Sequence, residues 1–273
     1  MNLHERLLFN KKFSGILWTL FFEAVLVGVS LIMLQILRDT PPVLWYVFCI
    51  ILRIVLGMGS LLVIKKVYGR EVKEVLTLKN SKAASVAGIG FILYFAYWIF
   101  VMCLAGQSVH NLDAVTLIFG IVLGAFSTGF CEELIFRVLF LEGYFHGERS
   151  LKSRLIYTFA NFLIFGIPHL MNLAELRTFL HTGIIGFAFS VMYLKSRNIL
   201  VPIMLHFVYD VAVNLTMFIS SNGLPIVIVG VVKSGLEVMY AVMFVLSFVI
   251  LLKKENEIVE ETDVSQMDTN QVV

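Results

Sequence analysis

Residues 115–141 read VTLIFGIVLGAFSTGFCEELIFRVLFL, an apolar run interrupted by Glu132, Glu133 and Arg137. A membrane-spanning helix needs about 20 mostly apolar residues, and this run supplies them. A charge at the bilayer centre costs roughly 2.5–3.5 kcal/mol on insertion scales. Two adjacent acids with a base four residues on therefore mark a working interior rather than a lipid-facing surface. Outward from this run the pattern repeats. The candidate spans are Phe13–Ile36, Val43–Ile64, Ala83–Leu104, Val115–Leu141, Leu155–Leu173, Thr178–Leu194, Ile199–Ser220 and Val231–Leu252, about eight in all. The expected fold class is all-α, a polytopic transmembrane helix bundle with short polar linkers. Composition agrees: 59% of the 273 residues are hydrophobic and the mean hydropathy is +0.90, against about 45–50% apolar residues in soluble domains. The lipid bilayer is the expected surrounding. A net charge of +2 gives no basis for a nucleic-acid partner.

The basic residues fall on alternate linkers. One side carries Arg6, Lys11 and Lys12, then Lys65, Lys66, Arg70, Lys73, Lys79 and Lys82. It continues with Arg149, Lys152, Arg154, Lys195, Arg197, Lys253 and Lys254. The other side has Arg38, Arg177 and Lys233. The positive-inside rule predicts both termini in the cytoplasm of a multi-pass cell-membrane protein. The first apolar run is too long for a signal-peptide core and is expected to remain as a span. The stretch from Lys65 to Lys82 reads as a basic segment lying on anionic headgroups. Cys49, Cys103 and Cys131 have no metal-knuckle spacing and read as small buried hydrophobes.

Three runs hold the intramembrane polar residues. Glu132 lies about nine residues from the cytosolic end of its span, roughly 13 Å deep at 1.5 Å per residue. Glu132 and Glu133 are about 100° apart around the helix, which predicts that they cannot both face one target. Glu133 and Arg137 stand at i,i+4 in the favourable order for an ion pair, leaving Glu132 to face a cavity. In the fifth run Pro168 predicts a loosened helix just before His169. In the seventh, His206, Asp210 and Asn214 form one polar stripe that must face the interior or water. Elsewhere, Glu23 and Arg53 lie at similar depth and are expected to pair with each other. His4, His110, His146 and His181 read as solvated. Gly183 and Gly186 read as points of close helix approach.

A Glu that takes a proton from water, a His that holds that water and donors that stabilise the resulting oxyanion make a hydrolytic site. Glu and two His also suit a divalent metal of the zinc-hydrolase type. The residues alone leave both open. H-E-x-x-H is absent, so a metal site would be assembled from three helices.

Glu132-Glu133-x-x-x-Arg137, Phe165-x-x-x-His169 and His206-x-x-x-Asp210 resemble, in order and spacing, the three motifs of the CAAX-protease and bacteriocin-processing (CPBP, or Abi) family of intramembrane endopeptidases. The flanking Glu-Glu-Leu-Ile-Phe-Arg and Phe-Gly-Ile-Pro-His are typical of it. The resemblance covers about Val115 to Thr216. The chain then divides into N-terminal spans with a basic loop (1–112), a catalytic core that the resemblance implies (113–220), a final span (221–252) and a polar, acidic-leaning tail expected to be disordered (253–273). It implies that Glu132 activates water, that His169 shares that water, and that His206 and the residue four further on stabilise the oxyanion, with Glu133 and Arg137 in support. It also implies zinc on Glu132, His169 and His206 as the metal alternative. The partner it implies is a peptide or protein substrate in the membrane, lipidated at a CAAX end or of the bacteriocin or pheromone type. One position departs. The family's third motif reads His-x-x-x-Asn, whereas this chain has Asp210, and an ionised Asp cannot donate a hydrogen bond. Either Asp210 orients His206, as a carboxylate behind an imidazole does, or Asn214 supplies the amide, or the site is compromised; the first two together are favoured. Two other readings stand beside the protease: a non-catalytic immunity or partner-binding protein, and an ion or proton transporter.

Overall fold

The computed structural model describes residues 11–104, 108–109, 112–144, 150–173, 176–216, 219–220 and 226–253. The tail beyond residue 253, His4, His110 and His146 lie outside the described residues. The chain is an all-α polytopic membrane protein. Its helices are α1 (Lys11–Ile36), α2 (Pro42–Tyr68), α3 (Val72–Val75), α4 (Ser81–Ala87) and α5 (Ile89–Leu104). The long α6 follows, in four consecutive segments: π-helical Thr116–Leu123, α-helical Gly124–Glu133, π-helical Leu134–Leu139 and α-helical Phe140–Tyr144. Then come α7 (Leu151–Leu173), α8 (Leu176–Ser196), α9 (Leu200–Thr216) and α10 (Ile226–Leu252). The strands among the described residues are two-residue segments, Ser108–Val109 and Ile219–Ser220.

Four described helices, α1, α2, α6 and α10, are long and apolar enough to cross a bilayer, and α4 with α5 makes a fifth if the pair counts as one span. That pair was expected to be one straight span but bends by 64°. The bend falls at Gly88, whose N–H closes α4 on the Ala84 and Ser85 carbonyls while its own carbonyl starts α5 at Phe91 and Ile92. The expected fifth and sixth spans form helices of full length, α7 and α8, and the seventh, α9, is apolar but shorter among the described residues. Pro168 removes one backbone donor from α7 but stays inside a continuous helix.

The chain forms two compact units, neither contiguous in sequence. The first comprises Met1–Leu76, Val109–Arg149 and Ile203–Ser220. Its core is the end of α6, where every residue from Leu134 to Leu141 is at most 2% exposed. Here α1 and α6 touch through their backbones. A side chain at Gly143 would begin 2.2 Å from the Gly15 nitrogen, and one at Gly15 would begin 2.5 Å from the Phe140 carbonyl. Such backbone approach replaces the hydrophobic drive that helices lack in lipid. The buried Thr19 hydroxyl donates to the Ile135 carbonyl at 3.2 Å, inside the second π segment. Arg70 pairs with Glu142 at the same end.

The second unit comprises Thr77–Ser108, Ser150–Pro202 and Ser221–Val273. Helix α8 is its axis, buried without interruption from Ile185 to Ser196, as expected of a helix covered on all sides. Gly183 faces the Phe162 ring and Gly186 the Phe165 side chain of α7, each close enough that a Cβ would collide. Phe91 stacks on Phe189 at 4.2 Å. Buried Asn198 ties the unit together. Its amide donates to the Thr77 and Lys79 carbonyls at 3.0 and 2.8 Å, and its oxygen accepts the Val201 N–H at 3.0 Å, capping α9.

Candidate active site

Helices α6 and α9 bring five of the expected residues together in the first unit. Gly129 decides how close the helices come. A Cβ there would lie 3.1 Å from the Ile203 carbonyl and 3.3 Å from the His206 Cβ. One turn further along α6 stands Glu133, so the close approach at Gly129 sets the reach between Glu133 and His206. Phe126 packs edge-on against Phe207 beside it. The switch from α to π geometry falls directly after Glu133, and π segments inside longer helices frequently mark functional sites.

Glu133 and Arg137 are fully buried and ion-paired, Arg137 Nε to Glu133 Oε2 at 3.1 Å and Nη2 to Oε1 at 3.2 Å. The same carboxylate takes a second partner: His206 Nδ1 lies 2.9 Å from Glu133 Oε1. A carboxylate that is also salt-bridged to Arg can only accept here, so Nδ1 carries the proton. That directs His206 Nε2 toward the less buried side, 3.6 Å from Asp210 Oδ1 and 3.9 Å from Glu132 Oε2. Glu132 and Asp210 keep 15% and 20% of their side chains exposed, whereas His206 keeps 4%. The arrangement is a buried floor of Glu133 and Arg137, an imidazole standing on it, and two carboxylates at the mouth. A protonated His206 would be charge-balanced from both edges of its ring.

The expectation that the adjacent glutamates could not serve one target is corrected. They address opposite nitrogens of one imidazole, which is wide enough to bridge their angular separation. The expected Glu23–Arg53 pair is also corrected. No ion pair within 4 Å joins them among the described residues, and Arg53 Nε is buried without a hydrogen-bond partner. Instead Glu23 interacts electrostatically with both Arg53 and Glu132, so these charges border the site rather than forming a separate anchor. Asn214 is half-buried two turns beyond His206 and has no recorded polar partner among the described residues.

His169 belongs to the second unit. Its Nδ1 lies 2.9 Å from the Phe165 carbonyl, one turn back on α7, and its ring packs against Phe165. A carbonyl only accepts, so Nδ1 bears a proton. His181 was expected to be solvated. It is instead half-buried, hydrogen-bonded to Glu237 at 2.6 Å and stacked on Tyr240. Among the described residues no three His, Cys, Asp or Glu side chains are grouped to hold a metal ion. The donors expected for zinc divide between the units, Glu132 and His206 in the first and His169 in the second, and no step below is routed through a metal.

Sequence reasoning missed Gly129 and the second bond to Glu133. Gly129 stands four residues before Glu133 on the same helical face, a spacing visible in the sequence. Nothing in the sequence signalled the π segments.

Comparison with known families gives a match. Residues 113–212 match a family model described as Rce1-like, Type II CAAX prenyl endopeptidase. The resemblance drawn from the three motifs is borne out over these residues, which are less than half of the chain. Glu132, Glu133, Arg137, His169, His206 and Asp210 all lie within the match, and Asn214 lies just outside it. No curated protein and no solved structure matches the chain.

Proposed function

We propose that this membrane protein is an intramembrane endopeptidase that hydrolyses a peptide bond of a membrane-associated or lipidated substrate. The observation that carries the reading is the His206 imidazole, held through Nδ1 by buried Glu133 with Nε2 turned toward Glu132 and Asp210. The similarity to Type II CAAX prenyl endopeptidases supplies the reaction class.

Glu132 takes the proton from water as the water attacks the scissile carbonyl, and later returns it to the leaving amine. His206, proton-bearing on both nitrogens, donates from Nε2 to the oxyanion that develops. Asp210 cannot donate while ionised. It acts by favouring the imidazolium, the part a carboxylate plays for a catalytic histidine. Glu133 fixes the ring, and the Arg137 ion pair holds Glu133 in place. The motif resemblance implies that His169 shares the attacking water. Asn214 is a further amide donor for the substrate backbone. The substrate is a CAAX-type or bacteriocin- or pheromone-type peptide. Both termini lie in the cytoplasm of a multi-pass protein of the cell membrane, following the distribution of Lys and Arg.

The test compares peptide termini in membranes of cells making the wild-type chain or Glu132→Gln at matched levels. Termini found only with the wild type support the proposal. Undiminished cleavage by Glu132→Gln sinks the mechanism. Identical termini together with a retained cellular phenotype would favour a non-catalytic immunity or partner-binding role, for which Asp210 in place of Asn is the motivating residue.

A further inference from the structure

Within the second unit, α8 and α10 enclose a groove of about 370 Å³, in the range of ~300–1,000 Å³ typical of small-molecule sites. Leu180, Ile184 and Ala241 form its apolar walls and Tyr240 its floor, with Arg177, His181 and Glu237 at the rim. The floor is rigid: the His181 ring lies flat on Tyr240 at 3.9 Å and 6°, and the Tyr240 hydroxyl lies 3.3 Å from that of Tyr94. None of these residues has a part in the hydrolysis proposed above.

The rim sets the ligand's chemistry. Both oxygens of Glu237 are engaged, one by Arg177 and the other by His181, so this acid is satisfied and does not call for a cation. Arg177 is the reverse. It spends one N–H on Glu237, its side chain is 56% exposed, and its remaining donors have no recorded partner among the described residues. A guanidinium carries five donors in a planar fork suited to phosphate. Below it runs an apolar groove, at the start of a helix in a membrane protein. A free phosphate would leave the apolar walls unused, and a neutral lipid would leave the guanidinium unused. We propose that the groove binds a glycerophospholipid, its phosphodiester on Arg177 and one acyl chain along Leu180, Ile184 and Ala241.

The experiment is native mass spectrometry of the full chain in detergent, titrated with dioleoyl phosphatidylglycerol. The wild type should retain one lipid per chain. Arg177→Ala should weaken retention about tenfold, the scale of a lost charge-assisted hydrogen bond. Ala241→Leu fills the groove while leaving the Arg177–Glu237 pair, and should weaken retention without changing the rim. Dioleoylglycerol, which lacks the phosphate, should not be retained, and inorganic phosphate should not displace the phospholipid. Wild-type retention by both variants overturns the site. Equal retention of dioleoylglycerol overturns the role of Arg177, and displacement by inorganic phosphate overturns the lipid and leaves a simple anion site.

Discussion

Glu133 holds His206: the carboxylate oxygen Oε1 lies 2.9 Å from Nδ1, and neither side chain is more than 4% exposed. The same carboxylate carries the Arg137 ion pair. One buried acid therefore does two jobs. It neutralises a cation that could not otherwise remain in an apolar interior, and it sets the direction of the imidazole that faces the mouth of the site.

Glu133 and its neighbour Glu132 should separate in experiment. Glu133→Gln leaves Arg137 buried without its counter-charge, which typically costs 3–5 kcal/mol. Thermal unfolding in detergent should show a markedly less stable protein. Adding Arg137→Met should recover most of the loss, because an apolar replacement of a buried pair is often neutral. Glu132→Gln should unfold within about 1 kcal/mol of wild type, since Glu132 is partly exposed and outside the buried pair. Equal stability of the two single variants would contradict this division of labour.

Asp210 is tested by two substitutions. Asp210→Ala removes the group beside His206 Nε2, and proteolysis should fall by about 10²-fold, the range for losing one oxyanion-stabilising contribution. Asp210→Asn exchanges charge for a donor and should remain within about tenfold of wild type. The measurement is the initial rate of peptide release in proteoliposomes. An Asp210→Asn variant as inactive as Asp210→Ala would show that the charge itself is required.

Gly129→Ala places a methyl 3.1 Å from the Ile203 carbonyl and 3.3 Å from His206 Cβ. Overpacking of this kind costs about 1–3 kcal/mol. Moving α9 outward should lengthen the Glu133–His206 bond and reduce the turnover rate more than it raises KM. A variant with wild-type turnover would mean that α9 yields elsewhere and that Gly129 does not set the distance.

The start of α6 should respond to acid. Asp113 accepts the Thr116 N–H at 2.9 Å and the Thr116 hydroxyl at 2.7 Å. These two bonds, the backbone one first, hold its carboxyl below the usual carboxylate value. A group lowered in the fold contributes fully above its unfolded pKa and loses that contribution as pH falls through the folded one. Amide protection at the first turn of α6, taken relative to the intrinsic exchange rate, should therefore fall as the pH drops below about 4. In Asp113→Asn that fall should disappear. A pH-independent wild type would rule out the cap.

The apolar runs and the Lys/Arg distribution made the helical membrane class readable, because hydrophobic length and backbone satisfaction leave few alternatives in lipid. The polar stripe at 206, 210 and 214 and the pair at 133 and 137 were readable from helical spacing. The bend at Gly88 was not, since glycines inside an apolar run, here Gly88 and Gly90, look like close packing until the hydrogen bonds on either side are traced. Nor was the bridging of Glu132 and Glu133 by one ring. That required knowing that α9 crosses α6 at Gly129, a tertiary fact that no local pattern encodes. His181 looked solvated because it stands near a helix start, and its partner Glu237 is 56 residues away.

The crossing of Gly15 with Gly143 bears on where a working fragment can begin. The family match opens at residue 113, yet the buried run from Leu134 to Leu141 within it is closed by α1, backbone against backbone. Residues 113–212 also divide between the two units, since 150–202 belong to the second. The stretch most like other proteins is therefore not an autonomous piece. Expressed by itself, it would present bare backbone at Gly143 and an unshielded Thr19 acceptor at Ile135. The first helix is a wall of the first unit, and the boundary of resemblance is not a boundary of folding.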